Sequence, residues 1–181
     1  MHEICQLMNK RQKEHVFENL FRDNKDKVYR LCRGYFQDSN DVDDLFQEIM
    51  LNIWKSLDAF REEAKISTWI YRVAVNTALL FSKRQQRKNT LFQMIEPETL
   101  TDHTKSDTPD PHLQLELENL RRCITMLAKQ DRLLVSLLLD GLSYKEMADI
   151  LGMSVSHVGV KINRTKKALA ALMKEASHGK S

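Results

Sequence analysis

Cysteine is scarce in this chain of 181 residues, and its three cysteines lie far apart. Cys5, Cys32 and Cys123 are odd in number and show no Cys-x-x-Cys spacing. This pattern excludes a zinc knuckle and a dithiol redox pair, and it is typical of proteins from a reducing compartment. We therefore predict that the three thiols are ordinary core residues.

Long hydrophobic runs are also lacking. The longest, residues 133–139, is interrupted by Ser136 and is far too short to span a bilayer. The opening stretch MHEICQLMNKRQKEH has no apolar signal core. Because 42% of the residues are hydrophobic and 29% are charged, the composition is that of a globular protein. We expect a soluble, cytoplasmic protein without membrane insertion.

Sequence motifs of the common enzyme classes are missing as well. The chain contains no His-Glu-x-x-His helix, no Gly-x-x-x-x-Gly-Lys phosphate loop and no cluster of cysteine and histidine. We therefore expect no catalytic residue, no metal and no cofactor. The net charge of +3 is too small to establish a polyanionic partner, so local clusters of charge have to be found.

Proline is confined to one stretch of the chain. All three prolines fall within NTLFQMIEPETLTDHTKSDTPDP, residues 89–111, which lacks sustained periodicity and is predicted to be a flexible linker. No proline lies on either side, glycine is rare, and no run alternates as an exposed strand does. The sequence therefore predicts an all-α protein with two small helical domains, residues 1–88 and 112–181.

An acidic helix is predicted in the first domain, after a turn in which Ser39, Asn40 and Asp41 are candidate N-caps. Its polar side chains lie off the apolar stripe, near the N-terminal end. Acidic residues there either suit the helix dipole or form a face that binds a partner. The apolar stripe consists of Val42, Leu45, Phe46, Ile49, Ile53, Trp54 and Leu57, and the polar residues are Asp43, Asp44, Gln47 and Glu48.

A second candidate site is the stretch FREEAKISTWIYRVAVNTALLFSKRQQRK. A charged loop leads into a helix that ends in four cations, Lys83, Arg84, Arg87 and Lys88. Aromatic residues at helical spacing are typical of a core. Aromatics and an asparagine beside clustered cations are also what a single-stranded nucleic acid groove uses, with bases stacked on rings and cations along phosphates.

The second domain contains a helical hairpin from Ser143 to Leu169. Ser143 and Glu146 form a capping box, Gly152 ends the first helix, and Ser154 is placed to cap the next. The second helix has an apolar seam and a face that is polar first and cationic later, which favours a helix-turn-helix over a plain hairpin. The seam is Val155, Val158, Ile162, Thr165, Leu169 and Leu172.

Together the two halves resemble the extracytoplasmic-function group of bacterial sigma factors, the smallest members of the sigma-70 class. The stretches DVDDLFQEIMLNIWKSLDAF and STWIYRVAVNTA resemble the sigma-two domain, and GLSYKEMADILGMSVSHVGVKINRTKKAL resembles the sigma-four domain. The resemblance runs from about Phe17 to Leu172. It implies a sigma-two domain over residues 1–88, the linker 89–111, and a sigma-four domain over 112–181.

The resemblance implies three contact surfaces. The acidic helix would dock on the beta-prime clamp helices of core RNA polymerase, and residues 60–87 would hold the melted non-template strand of the minus-ten element, with Trp69 and Tyr71 left open. The second hairpin helix would read the minus-thirty-five duplex. The polymerase contacts would be Asp44, Gln47 and Glu48; the minus-ten contacts Phe60, Arg61, Lys65, Ile66, Ser67, Asn76, Lys83, Arg84 and Arg87; the minus-thirty-five contacts Ser154, Ser156, His157, Lys161, Arg164 and Lys167.

Further partners follow from the resemblance: the polymerase beta subunit, promoter DNA and an anti-sigma factor, with the linker threading toward the active-centre cleft. Two departures limit it. Leu80 stands where many relatives carry Asp, and SHVGVK replaces a Gly-Thr-Val-Lys-Ser-Arg string, so the promoter sequence is not carried over. Two other hypotheses stay open: a helix-turn-helix regulator without sigma function, and a helical adaptor that binds only protein.

Overall fold

The computed structural model describes residues 9–61, 65–91 and 111–178, and within these ranges the regular structure is helical throughout. The N-terminal bundle has three α-helices and one short 3₁₀ turn. The C-terminal bundle has four α-helices. In chain order they are α1 (Lys10–Tyr35), α2 (Ser39–Ser56), the 3₁₀ turn (Leu57–Ala59), α3 (Ile66–Leu91), α4 (Pro111–Met126), α5 (Lys129–Leu139), α6 (Tyr144–Leu151) and α7 (Val155–His178).

The predicted all-α fold is confirmed for the described residues. The linker predicted at residues 89–111 lies mostly outside them, and the predicted domain boundaries stay predictions. Within the described ranges, none of the helices has the length and apolar character that a bilayer span requires. Cys32 and Cys123 are buried, unpaired thiols, as predicted, and burial raises the pKa of Cys32 to about 12. Cys5 lies outside the described residues.

Short-range chemistry sets the helix starts. α1 begins with a capping box in which Asn9 and Gln12 exchange hydrogen bonds of 3.0 Å. α2 is capped by Asp38, whose side chain accepts from the Asp41 amide at 2.8 Å. The predicted N-caps Ser39, Asn40 and Asp41 were therefore wrong by one position or more, because the preceding aspartate already satisfies the free amide.

The N-terminal bundle packs α1, α2 and α3 around a core to which the predicted stripe of α2 contributes. Val42, Leu45, Ile49 and Ile53 are at most 3% exposed, and Trp54 packs edge-on against Phe17 of α1 at 5.3 Å between ring centroids. Edge-to-face aromatic pairs add to the stability that burial provides. This packing leaves the polar side of α2 at the surface of the bundle.

The two bundles are not separate bodies in this structure. α5 packs along α1, and α6 packs along α3, so that buried residues of both bundles form one continuous hydrophobic core. Gly34 of α1 makes the close approach possible, because a Cβ there would lie 2.0 Å from Ser136 Oγ. This contact brings the surfaces predicted to bind nucleic acid close to each other.

Candidate nucleic-acid interface

The predicted polymerase face lies on the outer side of α2. Asp44 and Gln47 are exposed, whereas Leu45, between them, is fully buried. Glu48 is half-buried and accepts a hydrogen bond of 2.6 Å from Arg84 of α3. The carboxylate of Asp44 is thus open to solvent, while that of Glu48 already holds a partner within the bundle.

The pairing of Glu48 with Arg84 joins residues that were predicted for two different surfaces. Glu48 was assigned to polymerase and Arg84 to minus-ten DNA, yet both Glu48 oxygens accept from one Arg84 nitrogen. The Arg84 guanidinium also lies 5.6 Å from the ring centre of Phe81. Lys83 and Arg87 are exposed on the same stretch of helix.

The aromatics left open by sequence have different surroundings. Trp69 is half-buried, with its ring centre 5.1 Å from that of Phe60. Tyr71 is 5% exposed, and its hydroxyl donates to Asp140 of the C-terminal bundle at 2.8 Å. The pKa of Tyr71 is raised, mainly because its hydroxyl is buried and to a smaller extent because of this hydrogen bond. Tyr71 therefore joins the two bundles here and presents no stacking face to solvent.

The remaining predicted minus-ten residues occupy the loop and the first half of α3. Arg61 and Asn76 are exposed, and Ile66 and Ser67 are half-buried. Lys65 is exposed but donates to Glu146 of α6 at 3.3 Å. The helix that carries the predicted base pocket is therefore packed beside the first helix of the hairpin.

The hairpin has the predicted helix-turn-helix form. The Ser143 amide donates to Glu146 Oε2 at 3.0 Å, and the Glu146 amide donates back to Ser143 Oγ at 3.3 Å. Gly152 ends α6 in the left-handed region with φ of 64°, where a side chain would be strained. Ser154 then caps α7 by accepting from the His157 amide at 3.2 Å. The capping box, the end of the first helix at Gly152 and the cap by Ser154, which were predicted from the sequence, are all confirmed.

The capping box predicts a specific dependence on pH. The pKa of Glu146 is lowered from 4.5 to about 2. The largest cause is the hydrogen bond from the Ser143 amide, and those from the Ser143 hydroxyl and from Lys65 add to it. A lowered folded-state pKa stabilises the fold above the ordinary value, and this stabilisation is lost as pH falls from about 4.5 toward 2. NMR titration of the Glu146 carboxyl carbon should show this low midpoint.

Glu146→Gln provides the matched comparison. Glutamine keeps the acceptor, as Gln12 does in the capping box of α1, but does not titrate. The advantage of wild type over Glu146→Gln in urea unfolding should therefore shrink between pH 4.5 and pH 2. Glu118→Gln removes an exposed carboxylate from α4 and controls for charge alone. An advantage that stays constant over this range would contradict the assignment.

The outer face of α7 carries the residues predicted to meet duplex DNA. Val158 and Ile162 are at most 2% exposed, so this side of α7 faces the core, and Thr165 donates to Asp131 of α5 at 3.2 Å. The predicted contacts lie mainly on the opposite side. Lys161 is half-buried, and the exposed ones are Ser154, Ser156, His157, Arg164 and Lys167.

A cavity of about 400 Å³ separates part of α3 from the hairpin. Arg72 and Asn76 line it from α3, and Lys161 lines it from α7. Apolar walls come from both bundles, including Leu79, Leu133 and Ile150. The structure thus brings Asn76, a predicted minus-ten residue, to the same cavity as Lys161, a predicted minus-thirty-five residue.

Comparison with known proteins agrees with this arrangement of helices. The family model described as Sigma-70 region 2 matches residues 20–88, and that described as Sigma-70, region 4 matches residues 117–169. The ECF RNA polymerase sigma-E factor of Escherichia coli K12 is 34% identical over 151 residues, covering 79% of this chain and 78% of that protein. The chain belongs to the ECF sigma factors of the sigma-70 family. It is accordingly a transcription initiation factor of RNA polymerase.

Other proteins are similar to this chain along most of their length. The factor SigW of Bacillus subtilis is 27% identical over 161 residues, covering 83% of this chain and 85% of that protein. The sigma factor RpoE of Bartonella quintana, solved with the anti-sigma factor NepR, has a TM-score of 0.74 at 17% identity, covering 88% and 97% of the two chains. CnrH, solved with the cytosolic domain of CnrY, has a TM-score of 0.61 at 22% identity, covering 92% and 90%.

Sequence reasoning missed the residues that join the two regions of this ECF sigma factor. Arg132 is 7% exposed and donates to carbonyls of both bundles, and the Asp140 side chain is 7% exposed and accepts from Arg30 and Tyr71. One sequence signal for this contact was present, since Arg132 directly precedes the most apolar stretch of the chain. A buried arginine needs acceptors, and its own helix offers few.

Proposed function

We propose that this ECF sigma factor divides promoter recognition among three surfaces. The outer face of α2, with Asp44, Gln47 and Glu48, binds the clamp helices of the polymerase beta-prime subunit. The loop before α3 and α3 itself capture the melted minus-ten strand. The outer face of α7 reads the minus-thirty-five duplex. The observation that carries the proposal is that α2 and α7 each bury apolar residues on one side and present polar residues on the other, within regions matched to the sigma-70 family. The buried apolar residues are Val42, Leu45, Ile49 and Ile53 on α2 and Val158 and Ile162 on α7.

Chemistry supports the division between strands and duplex. Base capture from an opening duplex requires a pocket and costs a few kcal/mol of lost stacking. Phe60 in the loop before α3, with Ile66 and Ser67 at the start of α3, supplies half-buried groups for it. Duplex reading requires short polar groups at the start of a recognition helix and cations further along. Ser156, His157 and Arg164 are exposed in this order on α7.

The proposal extends to partners beyond DNA. The structurally similar sigma factor RpoE of Bartonella quintana was solved in complex with the anti-sigma factor NepR, which supports an anti-sigma factor as a partner of this chain too. We also propose that the segment between α3 and α4 threads toward the active-centre cleft and contacts the beta subunit. Since polymerase and promoter DNA belong to the bacterial cytoplasm, the proposal places the chain there.

In vitro transcription with purified core polymerase tests the function. Wild-type protein added to sigma-free polymerase on a genomic library should produce defined start sites. A helix-turn-helix regulator without sigma function would instead bind a duplex operator tightly without polymerase. A helical adaptor would show no salt-dependent binding to nucleic acid, whereas phosphate contacts lower log affinity with log salt by about 0.9 per contact. No stimulation of initiation across the library would overturn the proposal.

A pair of lysine substitutions tests the reading of the duplex. Lys161→Ala should cost about 1 to 3 kcal/mol at the preferred promoter and relax sequence preference, because Lys161 is proposed to reach a base edge. Lys167→Ala should weaken all promoters alike, because Lys167 is proposed to meet phosphate. Start-site yields on matched and mismatched minus-thirty-five elements measure both effects. Equal losses on both elements for Lys161→Ala would refute its assignment.

A further inference from the structure

One large apolar side chain lies on the outer side of α7. Val160 is 59% exposed, more than Val155 at 48% or Met173 at 37%, the other exposed large hydrophobic residues of α7 among those that the structure describes. It lies two positions from both Val158 and Ile162, which are at most 2% exposed. Because two positions turn an α-helix by about 200°, Val160 points away from the core that these two residues enter.

Polar and charged side chains surround Val160 on this outer side. Residues three, four and seven positions away lie on the same side of a helix. Those around Val160 are all exposed, and they are Ser156, His157, Asn163, Arg164 and Lys167. Val160 is therefore an isolated apolar group in the middle of the surface that we propose reads the duplex.

Packing within the protein does not account for a valine at this position. Val160 belongs neither to the buried core nor to the half-buried residues packed against it. A β-branched residue is also a weaker helix former than alanine, lysine or arginine. Single exposed apolar residues are common on protein surfaces, so exposure alone assigns no role to Val160. Its position among the proposed DNA contacts does.

Val160 lies in the part of α7 that would come nearest to the bases. It is the sixth residue of this helix, which begins at Val155, so it falls within the first two turns. In a helix-turn-helix the N-terminal residues of the second helix meet the base edges, while phosphate contacts fix the position of the helix. With Arg164 and Lys167 on phosphates, Val160 would face the floor of the major groove.

The major groove offers one apolar group to such a side chain. Guanine, cytosine and adenine are distinguished there by hydrogen-bond donors and acceptors, whereas thymine adds a 5-methyl group. A valine packed on a polar base edge would remove water from it without returning a hydrogen bond, which is unfavourable. Packing on the thymine methyl group has no such cost, and it buries apolar surface on both partners.

We propose that Val160 selects thymine at one position of the minus-thirty-five element by packing against its 5-methyl group. The inference deepens the proposed function of α7 and rests on it. The start sites that wild-type protein produces with core polymerase should accordingly share a thymine at one position of this element, on one fixed strand. Val160→Ala should relax the preference at that position.

Removal of single methyl groups from the promoter tests the contact. Deoxyuridine pairs with adenine as thymine does but lacks the 5-methyl group. Each thymine of the minus-thirty-five element, on both strands of a mapped promoter, is replaced in turn, and binding by wild-type protein with core polymerase is measured in competition. At one position the replacement should lower affinity about fourfold, the effect of burying one such group.

Val160→Ala completes a double-mutant cycle with this replacement. Alanine is a good helix former, so α7 stays intact. The variant should lose about fourfold or more on the thymine promoter, and deoxyuridine should then cost it less than twofold, because the partner of the methyl group is already gone.

Val155→Ala is the matched control. It removes the same two methyl groups from α7, at a residue two helical turns before Ile162 and therefore on the core side. It should keep the full fourfold loss on deoxyuridine.

The outcomes separate this inference from the proposed function. If wild-type protein loses less than twofold on every deoxyuridine promoter, the inference is overturned while the proposed function stands. The same holds if Val160→Ala and wild type lose equally on deoxyuridine, since Val160 would then act on a protein partner or on none. Absence of any start site with wild-type protein would overturn the proposed function and the inference together.

Discussion

Asp44→Lys abolishes binding to core polymerase while the helices of the chain stay intact; this is the largest functional effect that we expect. Asp44 is exposed on α2 beside the fully buried Leu45, so the substitution changes the outer face and leaves the packing alone. Like charges juxtaposed across an interface cost several kcal/mol, and each 1.4 kcal/mol is tenfold in affinity. We therefore expect a loss of about a hundredfold or more in a fluorescence titration with core polymerase.

Two comparisons make the experiment specific. Glu18→Lys produces the same change of charge on an exposed position of α1 and should bind polymerase normally. Glu48→Lys is also expected to block binding, but it breaks the pairing with Arg84 and sets two cations together, so its effect mixes function with stability. Unchanged affinity for Asp44→Lys, with a helical circular dichroism spectrum like that of wild type, would show that α2 is not the docking face.

Leu45→Ala should have the largest effect on stability. The side chain is fully buried among α1, α2 and α3, and truncation of a core leucine to alanine costs about 2 to 5 kcal/mol from lost burial and the remaining cavity. Urea unfolding followed by circular dichroism measures the change in midpoint. Leu51→Ala, on the same helix, is the matched control, because Leu51 is 49% exposed and its loss should be well below 1 kcal/mol.

The two substitutions on α2 separate packing from recognition. Leu45→Ala should lower polymerase binding only as far as it populates the unfolded chain, so binding should recover under stabilising conditions. Asp44→Lys should not recover. A Leu45→Ala midpoint equal to that of Leu51→Ala would mean that α2 does not pack against its bundle as described.

The helix-turn-helix could be predicted almost completely from sequence. Ser143, Glu146, Gly152 and Ser154 act on residues no more than a few positions away, so the spacing alone contains the hydrogen bonds and the turn that the structure shows. The start of α2 was wrong for a related reason. Asp38, Ser39, Asn40 and Asp41 are all good caps, and the spacing of the apolar stripe does not choose among neighbouring candidates.

The meeting of the two bundles could not be predicted in the same way. Arg132 finds Gly34 across 98 positions of sequence, and Arg30 finds Asp140 across 110. No local periodicity encodes such pairs, since the two partners lie on helices that are far apart in the sequence. The candidate site shows the same limit, because the sequence left open whether Tyr71 meets a base, and the hydrogen bond from its hydroxyl to Asp140 spans 69 positions.

The unbroken core across the bundles has a consequence for dissection of the chain. Leu133, Leu134 and Leu137 are buried in the same cluster as Val28 and Leu31. Expressing either region alone would therefore expose to solvent a hydrophobic surface that is buried in the intact chain. Exposed apolar patches of that kind promote self-association. Isolated regions of this protein would thus be less soluble than the intact chain, because the hydrophobic surface that each buries against the other region would be exposed.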